Sequence, residues 1–154
     1  MRIARLSGHI AKIKIGLSNK YQIEEQRQKV ENAISTIRSS LEEGFVPGGG
    51  AFYLYLQNEL SNWSYLNLIG EEIFSSQILT EALGRPFQEL FENTNTPLYQ
   101  ISQNLLRLGY PYAYDLSEKK IVHTIDEYLI DSAKSVRTIL WNSVTIVSTI
   151  ITSE

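Results

Sequence analysis

The chain has 154 residues, 43% of them apolar and 20% charged, which is enough apolar material for a core and excludes a wholly disordered chain. Fourteen basic against seventeen acidic residues leave a net charge of −3, so no cationic surplus exists to hold a phosphate backbone, and nucleic-acid binding is disfavoured. There is no cysteine, which excludes disulfides, thiolate nucleophiles and cysteine zinc sites, and His9 and His123 lack neighbours at metal-ligand spacing.

In chain order, Met1–Leu6 lacks the apolar run of a signal peptide. Ile10-Ala11-Lys12-Ile13-Lys14-Ile15 alternates apolar and polar residues, the pattern of a strand with one buried face, and Gly16 ends it. From Tyr21 to Glu43 the period lengthens. Ile23, Val30, Ile34, Ile37 and Leu41 share one helical face, and Gly44 suits the C-cap. Glu42 and Glu43 close that helix against its macrodipole, which points to a tertiary partner.

Val46-Pro47-Gly48-Gly49-Gly50 then breaks the helix. Ala51–Leu60 resumes a helical pattern, Asn62–Asn67 reads as a polar and aromatic loop, and Ile69–Leu83 as a further helix interrupted by Gly84-Arg85-Pro86. Phe87–Glu92 continues in a helical sense. Asn93–Pro97 is a loop in which Asn95 or Thr96 would cap a helix over Leu98–Leu108. Tyr110, Tyr112 and Tyr114 alternate within a strand over Gly109–Asp115, with Ile121–Ile130 as a loose hairpin partner. Ser132–Ser153 is the last helix, capped by Asp131 or Ser132. Its apolar stretch, Ile139–Ile151, is too short for a membrane span and is broken by Asn142, Ser143, Thr145, Ser148 and Thr149, so the chain reads as soluble.

Chemistry has few candidates. The three glycines let a backbone approach a ligand, and the helix after them would present N–H groups to an anion. No Gly-Lys-Ser/Thr follows, however, and a tight turn explains the run as well. Asp115, Asp126 and Asp131 lie in or beside the predicted hairpin, where carboxylates line a site or, more commonly, fix turns and caps. Phe52, Tyr53, Tyr55, Trp63 and Tyr65 read first as core, but they exceed what one helical face buries, which points to a protein contact surface for part of them. No nucleophile–base–acid constellation assembles.

At these residues the sequence resembles the C-terminal part of the group I, GroEL-like chaperonins. Arg2–Gly8 and Ile10–Gly16 look like the family's Arg-X-Ala-X-Leu-X-Gly-Gly strand region. Val30-Glu31-Asn32-Ala33 looks like its Val-Glu-Asp-Ala helix, and Glu42–Gly50 like its Glu-Glu-Gly-X-Val-Pro-Gly-Gly-Gly turn. Ile125-Asp126, Asp131, Lys134, Arg137 and Leu140 match the late hairpin and last helix, and Thr152-Ser153-Glu154 that helix's end. The likeness runs nearly end to end, with about 51–110 divergent.

The resemblance implies a mainly α, equatorial-domain-like helical bundle with a short N-terminal strand and a late β-hairpin. Residues 1–30 would belong with the intermediate domain and 31–154 with the C-terminal half of the equatorial domain. It places Gly49 beside the nucleotide's ribose or base, Asp131 beside the ribose, and Asp115 and Leu116 where the family has an Asn-Ala pair beside adenine. Asn32 stands at the family's hydrolytic aspartate, and an amide supplies neither charge nor a useful base. His9 replaces a glycine. The matched region omits the family's phosphate-binding loop and client-binding apical domain, and stops at Glu154 before its last strand.

The expectations are therefore a chaperonin-like protein that acts with partner subunits, either full-length chaperonin or a different complex for which it has become a structural part. The chain alone would not hydrolyse ATP. ATP with Mg would be held only where a partner supplies the phosphate-binding half, and no metal site of its own is expected. Neither a nucleic-acid partner nor a membrane span is expected. An Ile-, Asn-, Tyr- and Lys-rich composition suits a plastid stroma or a bacterial cytoplasm.

Overall fold

The computed structural model describes residues 12–16, 19–92, 94 and 96–153. The chain divides into two compact units, Met1–Arg38 and Ser39–Glu154.

In the first unit residues 12–16 form no strand, since no neighbouring strand among the described residues supplies ladder hydrogen bonds; residues 10 and 11 lie outside the described residues. Ile13 and Ile15 instead line a shallow depression with Ile23, Val30 and Ile34 of helix α1 (Lys20–Glu43). The alternation is therefore real, but a helix face takes the place of a sheet.

The second unit carries the core. Helix α1 ends at Gly44 as expected: its φ is +85°, and its N–H donates to the Ser40 carbonyl at 2.8 Å. Strand β1 (Phe45–Pro47) leads into the glycine turn and helix α2 (Ala51–Asn67). The loop expected at Asn62–Asn67 is helical, its polar side chains facing water or their own backbone, as where Asn67 donates to the Trp63 carbonyl.

Helix α3 (Glu71–Glu89) packs on α2 as an antiparallel hairpin and runs straight through Gly84-Arg85-Pro86. Gly84 leaves room for the Gln57 amide, 2.6 Å from where a β-carbon would stand, so this glycine serves helix approach and not helix termination. Helix α4 (Leu98–Leu108) has Pro97, not Thr96, at its N-cap, and no side chain caps it; Asn95 lies outside the described residues. The ring of Pro97 needs no N–H partner, which suits a helix start.

Strands β2 (Tyr112–Asp115) and β3 (Lys120–His123) form the late hairpin, pairing Tyr112 with His123 and Asp115 with Lys120. The second arm is shorter than Ile121–Ile130 because Thr124 leaves the ladder: its N–H and hydroxyl both donate to the Pro111 carbonyl, at 3.1 and 2.8 Å. Strand β4 (Ile130–Ser132) then pairs antiparallel with β1, and helix α5 (Ala133–Thr152) follows. Ser132 occupies the N-cap position without a side-chain cap bond.

Leu54, Phe87, Phe91, Ile101, Leu105 and Tyr114 form the core, with Leu98, Leu106, Tyr112, Leu116 and Ile121 packed around it. Phe91 links the helices to the hairpin, its ring 4.9 Å from Phe87 and 5.5 Å from Tyr114 between centroids. The Tyr55 hydroxyl reaches the end of α4, donating to the Tyr112 carbonyl at 2.8 Å with the Gly109 carbonyl 3.0 Å away, and burial pushes its pKa up to about 12. Among the described residues no helix is long and apolar enough to cross a membrane.

Candidate functional site

The β1–β4 ladder brings the two principal sequence candidates to one place. Val46 pairs with Asp131 and Pro47 with Ile130, so Asp131 lies beside the strand that delivers Gly49. Neither strand was legible as such, because three residues are too few for a period to show.

The glycine turn is closely held. The Gly48 N–H donates to the Leu129 carbonyl at 2.9 Å, and a β-carbon there would stand 3.1 Å from that oxygen. Gly49 has φ +60° and lies under the Tyr114 carbonyl, 3.4 Å from its β-carbon position. Gly50 has φ +73°, and its β-carbon position is 3.0 Å from the Phe87 α-carbon. Gly48 and Gly49 thus both meet Leu129, just before β4, Gly49 also meets β2, and Gly50 meets α3. At the start of α2 the Ala51 N–H donates to the Gly48 carbonyl and the Tyr53 N–H to that of Gly50, while the Gly49, Gly50 and Phe52 N–H groups have no protein partner among the described residues. The turn is a tight helix entry in which only some of the N–H groups find a carbonyl.

Asp131 is exposed in outline, yet the surrounding protein raises its pKa by desolvation. Burial, helped by the Asp131 charge, lifts the pKa of Tyr53. Asp115 serves its own turn. Its carboxylate accepts the N–H groups of Ser117 at 2.8 Å and Glu118 at 3.3 Å, closing the β2–β3 connection. Leu116 packs against the core cluster. Asn32 belongs to the first unit and is exposed on α1, where its backbone carbonyl accepts the Thr36 hydroxyl. Asp126 is exposed, 3.1 Å from His123 Nδ1. His9 lies outside the described residues.

The partner foreseen for Glu42 and Glu43 is the first turn of α5. Lys134 bonds Glu42, and Arg137 makes a forked pair with Glu43 at 2.6 and 2.9 Å. Arg137 holds the Glu43 carboxyl below the usual carboxylate range. Tyr53 and the β1–β4 pairing are the parts of the site that sequence reasoning missed; the aromatic excess of α2 was the only signal for the former.

The Asp131 carboxylate is carried on the strand paired with the one that leads into the glycine turn, whereas the Asp115 carboxylate bonds its own turn. Among the described residues no group of three or more His, Asp or Glu could hold a metal ion.

The sequence pattern of the TCP-1/cpn60 chaperonin family matches residues 1–154. The chain belongs to that family. It is similar to the chloroplastic chaperonin GroEL of Gracilaria tenuistipitata var. liui, 31% identical over 153 residues, and to that of Trieres chinensis, 32% identical over 153 residues, covering 99% of this chain and 29% of each relative. Chaperonin GroEL 3 of Acaryochloris marina is 30% identical over 99% of this chain and 28% of its own length. A group III chaperonin crystallised in the open state superposes with a TM-score of 0.81 at 24% identity, over 91% of this chain and 29% of the other. The fold is thus a chaperonin fold, and this chain spans under a third of the length of the relatives it matches.

Proposed function

We propose that this chain is a chaperonin-like subunit segment that acts only in association with the remaining parts of a chaperonin, and does not hydrolyse ATP by itself. The observation that carries the reading is α5. Val136 is its only buried residue, while Ile139, Trp141, Val144, Ile146, Val147, Ile150 and Ile151 all face water. Above its first turn, Leu140, Trp141 and Val144 line an apolar groove of about 370 Å³ with Leu56, Leu60, Leu79 and Leu83. Apolar surface on this scale calls for a protein cover. The family match, together with coverage of only 29% of the first relatives, supports a chaperonin source for it.

Gly49 and Asp131 would meet a nucleotide's sugar, with Asp115 and Leu116 near the base, once a partner supplies the phosphate-binding part and its Mg. The nucleotide supplies the driving reaction of the chaperonin cycle; this chain's own part is to orient the sugar and to fix the turn. The test is to mix the purified chain with a full-length chloroplastic chaperonin and run native mass spectrometry with and without ATP. Co-migration is expected, and the chain alone should release no phosphate. Absence of co-migration overturns the reading.

A second reading, a structural part of a different complex, is favoured by Asn32, whose neutral amide stands exposed on α1 where the family resemblance places a catalytic carboxylate. Isolating the tagged chain from its source separates the two: full-length chaperonin subunits support the first, a stoichiometric complex without them the second. Likeness to two chloroplastic chaperonins and to chaperonin GroEL 3 of Acaryochloris marina supports a plastid stroma or bacterial cytoplasm as the setting.

A further inference from the structure

The free end of the α2–α3 hairpin combines two properties that local structure does not require. Trp63, Tyr65 and Leu66 on the last turns of α2, Ile69 in the connection, and Phe74 and Ile78 on α3 are all exposed. Glu59, Glu71 and Glu72 accompany them, and the sequence holds no Lys or Arg between Arg38 and Arg85. Glu81 pairs with Arg85 toward the other end of α3, whereas Glu59, Glu71 and Glu72 join no ion pair among the described residues. Complementing the dipole of α3 accounts for Glu71 and Glu72 in its first turn. It accounts neither for six large apolar side chains in water nor for the missing cations.

We propose that this hairpin end is a docking surface for an amphipathic protein helix whose apolar stripe is flanked by Lys or Arg. The aromatic and aliphatic side chains receive the stripe. The glutamates meet the flanking cations, and Trp63, Tyr65 and Phe74 add faces on which a cation gains further attraction. Charge selects this occupant over two others. A second copy would bring the same carboxylates against themselves, and an anionic lipid surface would repel them. The surface differs in kind from α5, which carries no charge after Arg137 until Glu154. The inference stands on the hairpin alone and does not depend on the chaperonin reading.

Trp63 reports directly once the other tryptophan is removed. The full chain carrying Trp141→Phe is titrated with a helical Leu/Lys peptide and with a Leu/Glu peptide of the same apolar stripe, following Trp63 emission at low and moderate salt. A saturable blue shift with the Leu/Lys peptide is expected, at least ten-fold tighter than with Leu/Glu and weakened by salt. Glu71→Lys with Glu72→Lys should cut that preference ten-fold or more, as should Glu59→Lys, which spares the first turn of α3. Glu24→Lys with Glu25→Lys makes the same charge change on α1 and should leave the preference standing. Equal binding of the two peptides overturns the proposal, as does equal loss in the hairpin and α1 variants. A Trp63 shift produced by concentration alone, or by phosphatidylglycerol vesicles, assigns the surface to a second copy or a membrane and also overturns it.

Discussion

The two ends of α5 share one helix and have opposite circumstances. Its first turn is fastened from several directions: Ala133 N–H donates to the Gly44 carbonyl at 3.1 Å, Val136 is buried, and Lys134 and Arg137 bond Glu42 and Glu43. From Trp141, which is 74% exposed, through Ile150 every residue faces water. The hydroxyls of Thr145, Thr149 and Thr152 turn back onto carbonyls of their own helix, which leaves the distal surface still more apolar. The fastened end is specified by this chain. The distal half has a sequence suited to burial and finds no burial within it.

The largest effect is expected in the core of the same unit, at Gly50. Alanine there must hold φ near +73° and press on the Phe87 backbone. The left-handed conformation costs about 1–2 kcal/mol and overpacking a further ~1–3 kcal/mol. Gly50→Ala should therefore lower stability by roughly 2–5 kcal/mol in a denaturant titration, a large share of the ~5–15 kcal/mol a domain has. A loss below about 1 kcal/mol would mean that the turn does not bear on the core in this way.

The same contrast shows what was legible in the sequence. Helices α1 and α4 were readable because apolar residues recur over many turns, and the Gly44 cap and the Glu42–Glu43 partner followed from backbone and dipole arguments. The break foreseen at Gly84-Arg85-Pro86 was wrong because the glycine answers to Gln57, a contact no local pattern encodes. Lys12–Ile15 alternates like a strand, yet Ile13 and Ile15 face α1. Of the site, Gly49 and Asp131 came from a resemblance and not from spacing. Their adjacency rests on a ladder whose two halves lie more than eighty residues apart in sequence, Val46 against Asp131. Asp115 was open between site and turn, and hydrogen bonds to Ser117 and Glu118 place it in the turn.

A smaller effect lies in how the fastened end responds to pH. Desolvation raises the Asp131 pKa, so the folded state binds that proton more tightly than the unfolded state. Stability contributed by this group is therefore greatest in acid and falls as pH rises from the ordinary aspartate value through the raised one. Glu43 runs the other way: its lowered pKa adds stability above the ordinary glutamate value, lost as pH falls through the folded one. Asp131→Asn should make the chain slightly more stable at pH 7, by less than about 1 kcal/mol because the group is exposed. It should also leave the acid limb governed by groups such as Glu43. A variant less stable than the parent at pH 7 would show that the charge is favourably held.

The smallest effect is expected where the composition looks most like a core. Ile146→Ser together with Ile150→Ser removes two large apolar groups, but both are already in water, so the isolated chain should change by no more than ~0.5 kcal/mol. The same change at a buried position would cost several times more. The two substitutions should instead reduce self-association in sedimentation runs and weaken co-migration with a full-length chaperonin, because they delete surface the cover would bury. A large loss of stability in the isolated monomer would break the contrast between the two ends, since it would mean that the distal turns find their burial within this chain after all.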